Sequence, residues 1–261
     1  MELAGKVAVV TGAGGGGQGR AVALRLASEG AAVVVSDIEE AGGQETVRRI
    51  RERGGEAVFC RADIGRESEV QALLALAVRH YGRLDILVNN AGPYFPGDRL
   101  QRWDETLRAN LLGAIHGTLH AIEPMRQRGG GAIVLYGSTS AVGHGLKHSS
   151  SPAYDVAKAA VARLATTMAW LGQAHGIRVN CIVPDWVATE EVQTYVDSLT
   201  PDQRRAGGVP DTLTTLEEIA DVVLRLITDK SLSGRVVVWW SGQPPGLIPE
   251  NDPGYAALEP F

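Results

Sequence analysis

Short apolar runs alternate with longer stretches whose apolar residues recur every three to four positions, and the alternation persists along most of the chain. Val7 to Val10, Ala32 to Asp37, Ala57 to Cys60, Leu84 to Val88, Ala132 to Tyr136, Ile177 to Val183 and Arg235 to Trp240 are largely β-branched or aliphatic. Such runs predict seven strands buried on both faces. Between them, helical periods follow Gly19 (Val22, Leu24, Leu26), cover 39–53 and 67–81 (Val70, Leu73, Leu74, Ala77), and extend over 100–127. In the last of these, Leu100, Trp103, Leu107, Leu111, Ile115, Leu119 and Ile122 form a stripe. A further helix is expected from Pro152, with Ser151 as N-cap hydroxyl, and another from the capping box Thr215-Leu216-Glu217-Glu218 to about residue 229.

Residues 184–215 are polar, hold three prolines and lack a sustained period, which predicts an irregular lid or binding loop. An irregular tail is expected over 244–261. Strands alternating with helices predict an α/β fold: a Rossmann-type, doubly wound sheet of seven parallel strands flanked by helices, in a single domain spanning 1–261.

The first strand runs into Thr11-Gly12-Ala13-Gly14-Gly15-Gly16-Gly17-Gln18-Gly19-Arg20, then helix, then strand. Glycines at such a turn let backbone N–H groups and the helix N-terminus approach a pyrophosphate. Asp37 follows Gly19 by 18 residues, at the end of the second strand. A carboxylate there accepts bonds from adenosine ribose hydroxyls and repels a 2′-phosphate, which favours NAD over NADP.

Composition narrows the partners. A net charge of −5, with 44% hydrophobic and 21% charged residues, fits a globular protein whose main partner is neither nucleic acid nor an anionic membrane. No uncharged apolar run of about 18 residues and no signal peptide is read, so a cytoplasmic location is expected. The two cysteines, Cys60 and Cys181, lie in strand-like runs and are expected as buried thiols.

Three patterns carry candidate chemistry. Tyr154 and Lys158, four apart on the expected helix, place an ammonium near a phenol. Opposite charge favours the phenolate, lowering a pKa that ordinarily sits at about 10 and suiting the tyrosine to general acid/base work. Asn110 falls in the stripe of 100–127, either as a structural amide tying helix to sheet or as an amide that orders water or a helix kink beside an active site. Asn89-Asn90-Ala91-Gly92 closes the fourth strand with small residues and amides that suit close backbone approach to a ligand. His116 and His120 are also four apart, but no local carboxylate accompanies them and no metal site is expected.

Together these residues resemble the short-chain dehydrogenase/reductase family, in its shorter single-domain subclass, from about residue 3 to 240. The Thr11–Gly19 loop, Asp63, Asn89 to Gly92, Asn110, Ser138, Tyr154 with Lys158, and Pro184 with Thr189 occur in the family's order and spacing. The resemblance implies Tyr154 as general acid/base, with Lys158 depressing its pKa and binding the nicotinamide ribose. It implies that Ser138 binds the reacting oxygen and that Asn110 holds a water linking Lys158 to solvent. Gly12, Gly17, Gln18 and Gly19 would hold the pyrophosphate, with Gly16 an alternative to Gly17. Asp63 and Ile64 would lie near adenine, Asn90, Ala91 and Gly92 along the ribose, and Val187 and Thr189 against the carboxamide.

Four features depart from the family. The glycine loop is one residue longer than usual. The interval from Ser138 to Tyr154 is about three residues longer, which makes Ser140 a rival for the serine role. Asp185 stands where a glycine commonly follows Pro184, and Ser241-Gly242-Gln243 replaces Asp-Gly-Gly. The expectation is an NAD-dependent oxidoreductase interconverting a secondary alcohol and a ketone, assembled as a homotetramer or homodimer through the helices at 100–127 and 152–172. The alternatives are an NADP-dependent 3-oxoacyl thioester reductase and a catalytically silent dinucleotide-sensing protein. Residues 93–99, 144–151 and 185–215, including Tyr94, Phe95, His144, His148 and Trp186, are expected to shape the pocket.

Overall fold

The computed structural model describes residues 1–95, 97, 100–142 and 149–251. His144, His148 and the end of the tail lie outside them. The strands are β1 (Val7–Thr11), β2 (Ala32–Asp37), β3 (Ala57–Arg61), β4 (Ile86–Asn89), β5 (Gly131–Tyr136), β6 (Ile177–Pro184), β7 (Val236–Trp239) and β8 (Gly246–Leu247). They form one sheet in the order β3-β2-β1-β4-β5-β6-β7-β8. β1 to β7 run parallel, and burial on both faces of all but the edge strand β3 accounts for the unbroken apolar runs.

Helices cover the two faces separately. Val22 and Leu26 of α1 (Gln18–Ser28), Val47 and Ile50 of α2 (Glu40–Glu52), and Ile219 and Val223 of α10 (Leu216–Thr228) bury one side. Val70 and Leu73 of α3 (Glu67–Tyr81), Ala121 and Met125 of α5 (Gly113–Arg126), and Val161 and Ala165 of α6 (Pro152–Thr167) bury the other. β1 lies between β2 and β4, so the winding reverses there and opens a crevice at the carboxyl edge. Thr11 pairs with Ser36, Val10 with Val88, and Asn89 with Leu135. Just past these pairs, Asp37, Gly12 and Asn90 line that edge.

The structure corrects several expectations. The sheet has eight strands: Gly246–Leu247 pairs antiparallel with β7, and Ile248 N–H donates to Val236 O at 2.9 Å. A two-residue edge strand after Pro244-Pro245 is too short to show any period. The 184–215 segment is not irregular; it holds α8 (Glu190–Ser198) and α9 (Pro201–Ala206). Thr189 and Thr200 N-cap these helices, the latter in a full capping box with Gln203. Only Val196 of α8 is buried and nothing of α9, so no apolar stripe announced them. Ser151 occupies the N-cap position of α6, yet its hydroxyl makes no capping bond. Cys60 is only half-buried because β3 is the sheet's edge, while Cys181 is buried.

The 100–127 stripe also resolves differently. α4 (Trp103–Leu107) passes through a π turn (Arg108–Leu112) into α5. The extra residue rotates the following helix by about 100°. Thr106, Asn110, Gly113, Gly117, Thr118 and Ala121 therefore face the sheet, and Leu112 and Leu119 turn outward. Gly117 permits this approach: a Cβ there would lie 2.4 Å from Asn89 Oδ1.

Candidate active site

The glycine loop is built on two backbone contacts. Gly12 has φ +66°, and a Cβ on it would lie 2.8 Å from both Ala91 Cα and Asn90 Nδ2. A Cβ on Gly19 would lie 2.2 Å from Gly12 O. Gly17 is the N-cap of α1, and Gln18 is its first residue, with a buried Oε1 that has no partner. Gly15 and Gly16 are exposed, whereas Gly14 is buried, with a Cβ there lying 2.7 Å from Asp37 Cγ, so Gly12, Gly14 and Gly19 are the tightly packed positions of the loop. The N-terminus of α1 thus keeps free N–H groups directed into the crevice.

Asp37 ends β2 beside this loop. Its Oδ2 accepts from Gly14 N–H at 2.7 Å and its Oδ1 from Glu39 N–H at 3.1 Å. A carboxylate offers about four lone-pair sites, so acceptor capacity remains for hydroxyl groups. Across β1, Thr11 Oγ1 accepts from the N–H groups of Asn90 and Ala91, each at 3.1 Å. Asn90 Nδ2 donates to Thr11 O and Gly12 O at 2.9 and 3.1 Å. The asparagine side chain therefore braces the loop itself, a function that strand periodicity does not reveal. Asp63 holds its own turn, accepting from Gly65 N–H at 2.9 Å, and Ile64 backs onto Gly113 at the start of α5.

A second group converges past β4 and β5. Asn110 sits within the π turn, where Nδ2 donates to Pro93 O at 2.9 Å and Thr106 O at 3.2 Å, while its buried Oδ1 has no partner. Lys158 is 4% exposed and donates from Nζ to Tyr136 O at 3.0 Å. Asn110 Oδ1 and Lys158 Nζ lie 2.3 and 3.1 Å from the point where a Cβ on Gly92 would sit, so both face one small space beside that glycine. An orphaned acceptor opposite an ammonium is a setting in which a bridging water is well held. Asn110 thus lies in the turn that offsets the helix, and its amide also ties that helix to the chain following β4.

Ser138 follows β5 and begins the 3₁₀ turn Thr139–Ala141, with its Oγ 3.0 Å from Ser140 Oγ. Tyr154 lies one turn before Lys158, whose Nζ is 5.3 Å from the phenol ring centroid. The expected depression of the phenol is reversed. Burial pushes Tyr154 up to about 12; a hydrogen bond with Ser138 opposes this, and Tyr94 and Asp155 add to it. Burial likewise brings Lys158 down to about 8. Desolvation leads both shifts because both groups are removed from water.

The helices of the 184–215 segment bring two more residues to the loop. Val187 is buried and bridges to Thr214. Thr189 spends its hydroxyl on Val192 N–H, and its methyl lies 3.4 Å from a Cβ built on Gly17. Tyr94 meets Tyr154 edge-to-face at 5.1 Å and bonds Ser150 Oγ through its hydroxyl at 2.5 Å. Outside the site, His120 and His116 face a shared carboxylate, Glu67 of α3, at 3.0 and 3.8 Å, a partner supplied by tertiary packing alone. Among the described residues no cluster of three or more His, Cys, Asp or Glu has metal-binding geometry, and no helix is long and apolar enough to cross a membrane.

Comparison with known proteins places these features together. Residues 6–199 match the family model for short chain dehydrogenase. The chain is 35% identical to cis-4-hydroxycyclohexanecarboxylate dehydrogenase of Sinomonas cyclohexanicum, with 97% of each chain aligned. It is 36% identical to 7alpha-hydroxysteroid dehydrogenase of Escherichia coli K12 over 75% of this chain and 76% of that one. A solved 7alpha-hydroxysteroid dehydrogenase in complex with NADH and 7-oxo glycochenodeoxycholic acid superposes with a TM-score of 0.81 at 31% identity, covering 92% of this chain and 94% of that one.

Proposed function

We propose, since the chain belongs to the short-chain dehydrogenase/reductase family, that it interconverts a secondary alcohol and a ketone with NAD(H). The observation that carries the reading is the convergence of Ser138, Tyr154, Lys158 and Asn110 on the carboxyl edge of the sheet, next to a glycine loop closed by Asn90. When bound, the nicotinamide dinucleotide supplies or accepts the hydride. Gly12, Gly17, Gln18 and Gly19 hold the pyrophosphate, Asp63 and Ile64 flank the adenine, and Asn90, Ala91 and Gly92 line the ribose. Val187 and Thr189 close on the nicotinamide end from the lid at 184–215, which belongs to the same single domain as the sheet.

Each side chain has a separate task. Ser138 hydrogen-bonds the substrate oxygen. Tyr154, protonated at neutral pH and held further so by burial, donates its Oη proton to a carbonyl oxygen in reduction and recovers one in oxidation. Lys158 binds the nicotinamide ribose, and Asn110 Oδ1 holds a water that relays protons from Lys158 to solvent. Reduction starts from the neutral phenol and therefore uses the protonation state that burial favours.

Asp37 sets the cofactor. Its carboxylate, fixed by Gly14 and Glu39, binds ribose hydroxyls and repels a 2′-phosphate. Asp37→Ala is expected to weaken NADH binding about tenfold or more, the scale of a charge-assisted hydrogen bond, and NADPH binding less or not at all. Fluorescence titration with the two cofactors checks this. A larger loss for NADPH would overturn the NAD assignment.

We extend the proposal to assembly. Leu112 at the end of the π turn and Leu119 of α5, together with Val156 of α6 and Trp170 of α7 (Trp170–His175), are exposed apolar side chains, which suits pairing of like chains into a homodimer or homotetramer. Leu119→Glu is expected to lower the oligomer mass in sedimentation analysis; an unchanged mass would remove α5 from the interface.

A further inference from the structure

Asp185 stands immediately after β6, where the resemblance leads one to expect glycine, and its carboxylate is held by two separate segments. Oδ1 accepts from Thr139 Oγ1 at 2.7 Å, and Oδ2 accepts from Ser241 N–H at 3.2 Å. Asp185 N–H donates to Trp239 O at 3.0 Å, which fixes its backbone to β7. The next residue repeats the connection: Ser241 Oγ accepts from Trp186 N–H at 3.1 Å and donates to Trp186 O at 3.0 Å.

Thr139 is the first residue of the 3₁₀ turn, flanked by Ser138 and Ser140, and is itself buried. Within the turn, Ser140 N–H donates to Ser138 Oγ at 3.3 Å and Ala141 N–H to Ser138 O at 3.1 Å. The orientation of the Ser138 hydroxyl thus depends on a three-residue turn that Thr139 anchors to the residue following β6. That anchor is a hydrogen bond to an acidic side chain, a stronger class than bonds between neutral groups.

We propose that Asp185 is a positioning residue for the reaction: by holding Thr139 and Ser241 together, its carboxylate fixes the turn that presents Ser138 and ties that turn to the root of the lid. The proposal rests on the alcohol–ketone reading for its kinetic consequence and on geometry alone for its structural one. Asp185 touches neither the reacting oxygen nor the dinucleotide in this account; it acts through Ser138. The Ser241 departure thereby gains a purpose, since its N–H and hydroxyl complete the same clamp.

The test combines amide hydrogen exchange with kinetics in the full-length protein, using NAD with cis-4-hydroxycyclohexanecarboxylate and cyclohexanol as probe alcohols. Asp185→Ala and Thr139→Val should both accelerate exchange in a peptide covering 137–142 while leaving strands β1 to β5 protected. Both should lower kcat about tenfold or more, the loss that follows sub-ångström misplacement of a reacting-group partner, with NADH affinity within about twofold of wild type. Asp185→Asn keeps one oxygen acceptor, for Thr139, but turns an amide NH2 toward Ser241 N–H, so it should recover only part of kcat. In the double variant Ser138→Ala/Asp185→Ala, turnover should be no slower than in Ser138→Ala, because the two residues act in series.

Unchanged exchange in 137–142, or losses that multiply in the double variant, would overturn the proposal. So would exchange accelerated across the whole sheet, which marks a general stabilising role. Wild-type protein that oxidises neither probe would count against the proposed substrate chemistry, and the exchange experiment would still decide the role of Asp185.

Discussion

Tyr154→Phe is expected to lower kcat by about a thousandfold, within the range that a positioned general acid contributes, while NADH affinity and melting temperature change little. The ring remains, so its edge-to-face contact with Tyr94 at 5.1 Å is kept. What disappears is the one hydroxyl that faces Ser138 and carries the transferable proton. Parallel measurement of turnover and of NADH binding by fluorescence separates the two effects. Turnover at the wild-type rate would remove Tyr154 from the mechanism, whereas loss of both turnover and binding would show that the substitution had disturbed the pocket itself.

Gly19→Ala should damage stability and cofactor binding together. Its Cβ would lie 2.2 Å from Gly12 O and 2.5 Å from Asn90 Nδ2, and neither neighbour can withdraw, because Asn90 is tied to Thr11 O and Gly12 O. Overpacking of this kind costs about 1–3 kcal/mol, and here the strain falls on the loop that receives the pyrophosphate. The melting temperature of the unliganded variant should fall, and NADH should no longer raise it. A ligand at a hundredfold excess over its dissociation constant otherwise adds about 2.7 kcal/mol. Gly15→Ala is the matched control: nothing lies within 4 Å of a Cβ there, so both stability and the NADH response should persist. Equal behaviour of the two variants would mean that Gly19 and Gly12 do not form the closed side of the loop.

These two residues also show what can be read from the chain alone. The seven parallel strands were legible because burial on both faces leaves unbroken aliphatic runs, and the capping box at Thr215 because its bonds are local. The glycine loop and the Tyr154–Lys158 spacing were legible for the same local reason. Electrostatics was not. The sign of the Tyr154 shift depends on how deeply the phenol is buried, which is a property of the packed whole and not of a four-residue spacing. The partners of Asn90, Asp185 and Glu67 lie between 46 and 79 residues away, beyond any periodic pattern. α8 and α9 escaped because solvated helices in a lid bury almost nothing and so leave no stripe.

The π turn at Arg108–Leu112 joins two properties that would otherwise vary independently. One inserted residue brings the Asn110 amide to the site, and the same rotation of about 100° sets which side chains of α5 point away from the sheet. Deleting that residue would withdraw the amide and exchange the outward face in a single event. A lineage carrying this helix therefore inherits its buried amide and its outer surface as one trait, and drift in the surface is constrained by what the opposite side of the helix must hold.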